Sequence, residues 1–206
     1  MSETLLAHEP LIRLGAFAGI LALMALWEWL SPRRHQEIGR ARRWPSNLGI
    51  VALNTVAVRL VFPVAVGTAL LAEARGWGLF PALGAPTWLA IAASVMLLDL
   101  AIYLQHVLFH AVPVLWRLHR MHHADLEFDV TTGLRFHPIE ILLSMGIKLG
   151  VVAALGTPAV AVLVFEVLLN ATSMFNHGNV SLPRPLDRAL ALTAACGVGQ
   201  SAAVLR

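Results

Sequence analysis

Residues 87–123 read TWLAIAASVMLLDLAIYLQHVLFHAVPVLWRLHRMHH, an apolar run that ends in two groups of histidines. From Thr87 to about Phe109 the run is long enough to cross a bilayer core, which takes about 20 mostly apolar residues. Asp99, Tyr103, His106 and His110 follow one another at steps of four, three and four residues, which stacks them on one helical face. In the string HRMHH, His119, His122 and His123 stand at i, i+3 and i+4 and again share a direction. The stretch predicts a membrane helix that delivers two imidazole clusters to one place at its end.

The rest of the chain agrees with a membrane setting. Of 206 residues, 58% are hydrophobic and 13% charged, against about 45–50% and about 25% in an ordinary soluble domain. Leu11 to Leu30 forms a first apolar run, too long for a signal-peptide core and without a small-residue cleavage site after it. Arg33, Arg34, Arg40, Arg42 and Arg43 follow directly and supply much of the net charge of +3. A basic loop beside a spanning helix is a cytoplasmic topology signal, which is favoured here over contact with nucleic acid. Leu48 to Ala72 is a second run, interrupted by Arg59 and Pro63, and the glycines and prolines of 73–86 mark a loop. With the arginines inside, the helices run inward, outward and inward, so His106 and His110 are expected to emerge on the cytoplasmic face of the plasma (inner) membrane.

Ile139 to Leu155 and Ala159 to Phe175 are two apolar arms joined by Gly156, Thr157 and Pro158. Each is about 26 Å long as a helix, slightly short of a full crossing. The expectation is a tight helical hairpin, spanning or partly re-entrant, that returns His177 to the side of the other histidines. Lys148 and Glu166 are each nine residues from Thr157, so they lie at similar depth and are expected to pair, because an isolated intramembrane charge is costly. The same reasoning about the 73–86 loop pairs Arg59 with Asp99. The fold class is thus all-α, a single integral-membrane bundle over 1–206 with about four or five transmembrane or re-entrant helices.

Nine histidines are present, and six lie between His106 and His137. Neutral imidazole suits iron, zinc and copper, whereas magnesium and calcium want oxygen ligands. His106, His110, His119, His122 and His123 already exceed what one tetrahedral zinc needs. His137, in RFHPIE, and His177, in NHGN, bring the candidate ligands to seven. A two-metal centre is the economical reading. Asp99, Asp125 and Asp129 are the candidate carboxylates for orienting the imidazoles. His8 and His35 stand alone and receive no role. The single cysteine, Cys196, excludes an internal disulfide and a cysteine-built zinc site.

With DLAIYLQHVLFH, LWRLHRMHHADLEFDVTTGLRFHPIE and FNHGNVSLPRPLD in that order over about residues 99–187, the chain resembles the fatty acid hydroxylase and sterol desaturase superfamily of membrane-bound di-iron oxygenases. The resemblance implies two iron ions on the histidines above, with His137 and His177 as ligands or near-site residues. It further implies molecular oxygen as co-substrate and hydroxylation or desaturation of a lipid. No nicotinamide or flavin fingerprint is present, so electrons would come from an external donor protein. The family carries another HxxHH box after the segment matching LPRPLD, and here no histidine follows His177. Residues 189–205 instead read ALALTAACGVGQSAAVL, an atypical end that predicts a truncated or frameshifted terminus.

Three other readings compete. One is a metal-binding membrane protein, an inactive relative or a fragment of such an enzyme. A membrane zinc hydrolase is disfavoured because there is no HExxH. A bis-histidine haem protein is disfavoured because the histidines cluster on single faces.

Overall fold

In this computed structural model, which describes residues 7–61 and 65–187, several charged side chains of the long helices point inward and many of their leucines outward. The first helix, α1 (Glu9–Leu30), buries only Glu9, Met24 and Glu28, while Leu11, Leu14, Leu23 and Leu26 are exposed. The helix α7 (Pro138–Leu155) buries Glu140, Lys148 and Val152 and exposes Ile139, Leu143 and Ile147. In water this pattern would be unstable; in lipid it is the expected one, since polar side chains must face the bundle and apolar ones lose nothing by facing acyl chains.

The remaining elements are α2 (Arg40–Val61), α3 (Ala65–Ala74), the short α4 (Leu79–Ala82), α5 (Thr87–Ala111), α6 (Pro113–His123), a 3-10 turn (Thr132–Leu134) and α8 (Ala159–His177). Among the described residues there is no strand. Among the described residues four helices, α1, α5, α7 and α8, are long and apolar enough to cross a membrane. The protein is therefore an integral-membrane helical bundle. Exposed Trp88 and Trp77 near one end, and Trp29 near the other, occupy the interfacial positions that amphipathic rings prefer.

The second apolar run falls in α2 and α3. Together they pass from one end of the bundle to the other. Arg43 at the start of α2 bonds Asp125, and Trp77 just beyond α3 lies against Gly156 in the α7–α8 turn. That turn needs glycine twice over. Gly156 has a φ of +65° and caps α7, and Gly78, with a φ of +105°, approaches it so closely that a Cβ there would collide with the Gly156 backbone.

The two arms that flank this turn are not the tight hairpin expected. The backbones of α7 and α8 make little contact with each other, and α3 and α5 each pack against both. A core of Ala69, Leu98, Val152, Ala159, Val162 and Phe165 joins these four helices. The Lys148–Glu166 pair does form, at 2.5 Å, and bridges the divergence. Arg13 of α1 adds a second cation, 3.1 Å from Glu166. Arg59 and Asp99 form no ion pair; Arg59 is exposed, and Asp99 is half-buried without a charged partner among the described residues. Equal distance from a loop sets depth but not the direction of a side chain, and Arg59 faces outward from the bundle.

At the opposite end, Glu28 of α1 is fully buried and accepts the backbone N–H groups of Val130 at 2.7 Å and Asn179 at 2.8 Å. Asn179, from NHGN, exchanges two further hydrogen bonds with Arg34, and the arginine-rich segment thereby lies against the segment after α8. Arginines, histidine clusters and NHGN thus share one end of the bundle.

Candidate metal centre

The site starts from a break in the chain. Val112 is extended, as a residue before proline prefers to be, and Pro113 opens α6 at its first position, where no N–H is needed. His106 and His110, on the last turns of α5, therefore meet His119 and His123 of α6. His106 and His110 place their Nε2 atoms 3.0 Å apart. The Nε2 of His123 is 3.3 Å from that of His110 and 3.2 Å from that of His119. Ligand atoms of all four lie within 4.8 Å of one another.

This spacing fits a shared cation. Metal–imidazole bonds of about 2.0–2.1 Å put neighbouring donor atoms about 3.0–3.4 Å apart around one ion. The proton positions fit as well. The Nδ1 of His119 meets Glu140 Oε1 at 2.6 Å, with both side chains buried, so His119 donates there and turns its Nε2 lone pair inward. Burial first, and the neighbouring imidazoles second, push His122 from the ordinary 6.5 down to about 2 and His123 down to about 4. Both are neutral donors near pH 7, as a metal ligand must be.

A second locus adjoins the first. His122 Nε2 lies 2.9 Å from His177 Nε2, and His177 Nδ1 donates to the Ser173 carbonyl at 2.8 Å, which again frees Nε2. Phe136 of RFHP stacks on His122 with centroids 4.5 Å apart and planes within 4°. Gly133 lets the 3-10 turn approach α8, since a Cβ there would sit 2.5 Å from the Ser173 carbonyl oxygen. Among the described residues no third histidine, cysteine or carboxylate joins His122 and His177 as a separate group.

Of the seven histidines singled out from the sequence, six converge in this way. His137 stands apart: it caps α7, its Nδ1 accepting the Ile139 N–H at 3.2 Å, and no ring contact joins it to the others. The three aspartates do not contact imidazoles. Asp99 lies lower on the His106 face, half-buried, with no histidine bonded to it among the described residues. Asp125 and Asp129 instead bracket Arg43, at 2.8–2.9 Å, in a buried network with Asn47, Thr131 and Thr132. Burial alone would raise Asp125, but the hydrogen bonds from Arg43 and Thr132 hold it below 3.8. These aspartates fix the loop after α6, and so act on the histidines through the backbone.

Glu140 is the carboxylate the sequence reading missed. Its signal was present in RFHPIE, an acidic residue in the first turn of a helix opened by proline, where the helix dipole favours negative charge. The atypical 189–206 terminus lies outside the described residues.

A family model described as Fatty acid hydroxylase matches residues 91–196, just over half of the 206. No curated protein and no solved structure matches the chain. The matched segment contains α5 from Ile91 onward, all of α6, α7 and α8, and every residue of the histidine cluster. The family consists generally of oxidoreductases and is typically iron-dependent, in keeping with a cluster built only from imidazole donors. This chain belongs to the fatty acid hydroxylase and sterol desaturase superfamily.

Proposed function

We propose that the chain is a membrane-bound, non-haem di-iron oxygenase that hydroxylates or desaturates a lipid with molecular oxygen. The observation that carries this reading is the convergence of the His106, His110, His119 and His123 Nε2 atoms at the end of a membrane-spanning helix. Those four would hold one ion, and His122 with His177 would contribute to a second. Bound iron supplies the strong oxidant that an unactivated C–H bond requires and that side-chain acids and bases do not.

The protein's part is positioning and exclusion. Glu140 keeps the His119 proton on Nδ1, and Ser173 does the same for His177. Phe109, Trp116 and Phe136 pack around the imidazoles and limit access of water. The Asp99–Tyr103–His106 face of α5 is only half-buried and leads from the middle of the membrane helix to the cluster, a path open to an apolar chain in the bilayer. The arginine-rich segment at the histidine end supports a cytoplasmic orientation in the inner membrane, where a soluble electron donor has access.

A second reading is favoured by one observation. The His122–His177 pair lacks further donors among the described residues, as expected of a metal-binding relative without turnover. Anaerobic loading with Fe(II), followed by air, a reductant and analysis of the surrounding lipids, separates the two. Oxygen-dependent lipid product supports the oxygenase, and bound iron without product supports the scaffold.

A further inference from the structure

Beside the histidine cluster lies a separate cavity of about 190 Å³, lined by Arg42, Arg43, Asn47, Asp125 and Arg135 with Leu126 at its edge. It adjoins the metal centre through the chain itself: Asp125 follows His123 by two residues, and Arg135 precedes His137 by two. Its lining has both a charged wall and an apolar lip, for Leu126 is 82% exposed.

The charge of the lining is unevenly satisfied. Arg43 is matched by Asp125 and Asp129, and its guanidinium also reaches the Glu127 carbonyl. The Asp125 carboxylate is occupied by Arg43, Asn47 and Thr132. Glu127, 3.7 Å from Arg43, turns one carboxylate oxygen to the Glu37 and Ile38 N–H groups. Arg135 is left short. Its side chain is 23% exposed, its Nε is buried without a partner, and its nearest acceptor is Asn47 Oδ1 at 3.4 Å, with Asp125 at 3.9 Å. Arg42 is exposed and bonds nothing among the described residues. A guanidinium presents five donors in a planar fork that matches phosphate geometry, and the Nη groups of Arg135, held only by these long contacts, are free to take up an oxyanion.

We propose that this cavity binds a phosphate group, that of a membrane phospholipid, with Arg135 and Arg42 as its ligands. The volume is below the roughly 300–1,000 Å³ of pockets that enclose whole ligands, and suits a headgroup whose chains remain in the bilayer. Its position fits too, because basic pockets at the membrane surface between helices hold acidic headgroups. Leu126 and Ile38 then meet the glycerol and upper acyl carbons. The site is independent of iron, and its failure would leave the metal centre untouched.

The test is calorimetric titration of the full chain in neutral detergent micelles with dihexanoyl phosphatidic acid and, separately, with inorganic phosphate. Saturable binding of phosphatidic acid is expected, weakened about tenfold or more by Arg42→Gln and by Arg135→Gln through loss of charge-assisted bonds. Arg75→Gln, at the other end of the bundle, should leave it unchanged. Arg42 is exposed, so its variant folds even if the Arg135 variant does not. Inorganic phosphate that binds with the same arginine dependence supports the anion pocket and assigns it to a free ion as well. Absence of saturable binding by both probes, or binding that neither arginine variant weakens, overturns the proposal.

Discussion

Glu140 Oε1 lies 2.6 Å from His119 Nδ1, and both side chains are almost wholly shielded from solvent. The carboxylate belongs to the first turn of α7 and the imidazole to α6, so this one bond couples the orientation of a candidate ligand to the packing of two helices. Removing such a partner costs about 10- to 100-fold in metal affinity in known sites. Glu140→Ala should weaken Fe(II) binding by that order, and Glu140→Gln by less, because an amide oxygen still accepts the Nδ1 proton. Anaerobic Fe(II) titration checks this; equal affinity in all three proteins would show that Glu140 does not position His119.

Lys148 and Glu166 should respond unequally to substitution. Glu166 is held by Lys148 and also by Arg13, while Arg13 has Glu9 as a further partner at 2.7 Å. Glu166→Gln leaves buried Lys148 without its counter-charge, which costs roughly 3–5 kcal/mol when a buried pair is broken. Lys148→Met leaves Glu166 still paired with Arg13 and should cost less. Thermal unfolding in one detergent ranks the variants, and a Lys148→Met protein less stable than Glu166→Gln would contradict the geometry.

His137 should separate from the other histidines in its effect. As the cap of α7 it contributes about 1 kcal/mol, the usual value of a side-chain cap. His137→Ala should lower stability by about that amount and leave iron content unchanged, whereas His177→Ala should reduce iron content. Paired measurements of unfolding and bound metal distinguish a cap from a ligand.

The metal-free chain should lose stability as pH falls. His122 and His123 titrate at about 2 and about 4 in the folded protein, against 6.5 for the ordinary residue. Below pH 6.5 the unfolded chain binds protons that the folded chain does not, so each step downward favours unfolding until the folded values are reached. Unfolding midpoints measured from pH 7.5 to 4.5 should decline through this range. Flat or rising midpoints would mean that these imidazoles are not held neutral by the fold.

What could be read from the chain alone follows a physical rule. The histidine boxes were legible because helical spacing converts sequence into direction within one element, and HRMHH and HVLFH each sit on a single helix. Lys148 and Glu166 were legible because both flank one turn at equal depth. Arg59 and Asp99 looked equivalent by the same count, yet Arg59 faces outward from the bundle, because equal distance from a loop fixes depth and not the direction in which a side chain points. The roles of the carboxylates were exchanged for a similar reason. Asp125 and Asp129 stand close to the histidines in sequence, yet their partner Arg43 is more than 80 positions away. Glu140 is distant in sequence from His119 and adjacent in space. Contacts between elements depend on how the bundle closes, which spacing within an element does not encode.

The central claim is that the converging imidazoles form an iron centre, and the iron content of the purified chain after anaerobic reconstitution tests it most directly. The account predicts tightly held iron, approaching two per chain, that a His119→Ala/His123→Ala double variant loses and a His35→Ala variant keeps. A folded chain that retains no iron, or iron that the double variant holds as well as the parent, would contradict it.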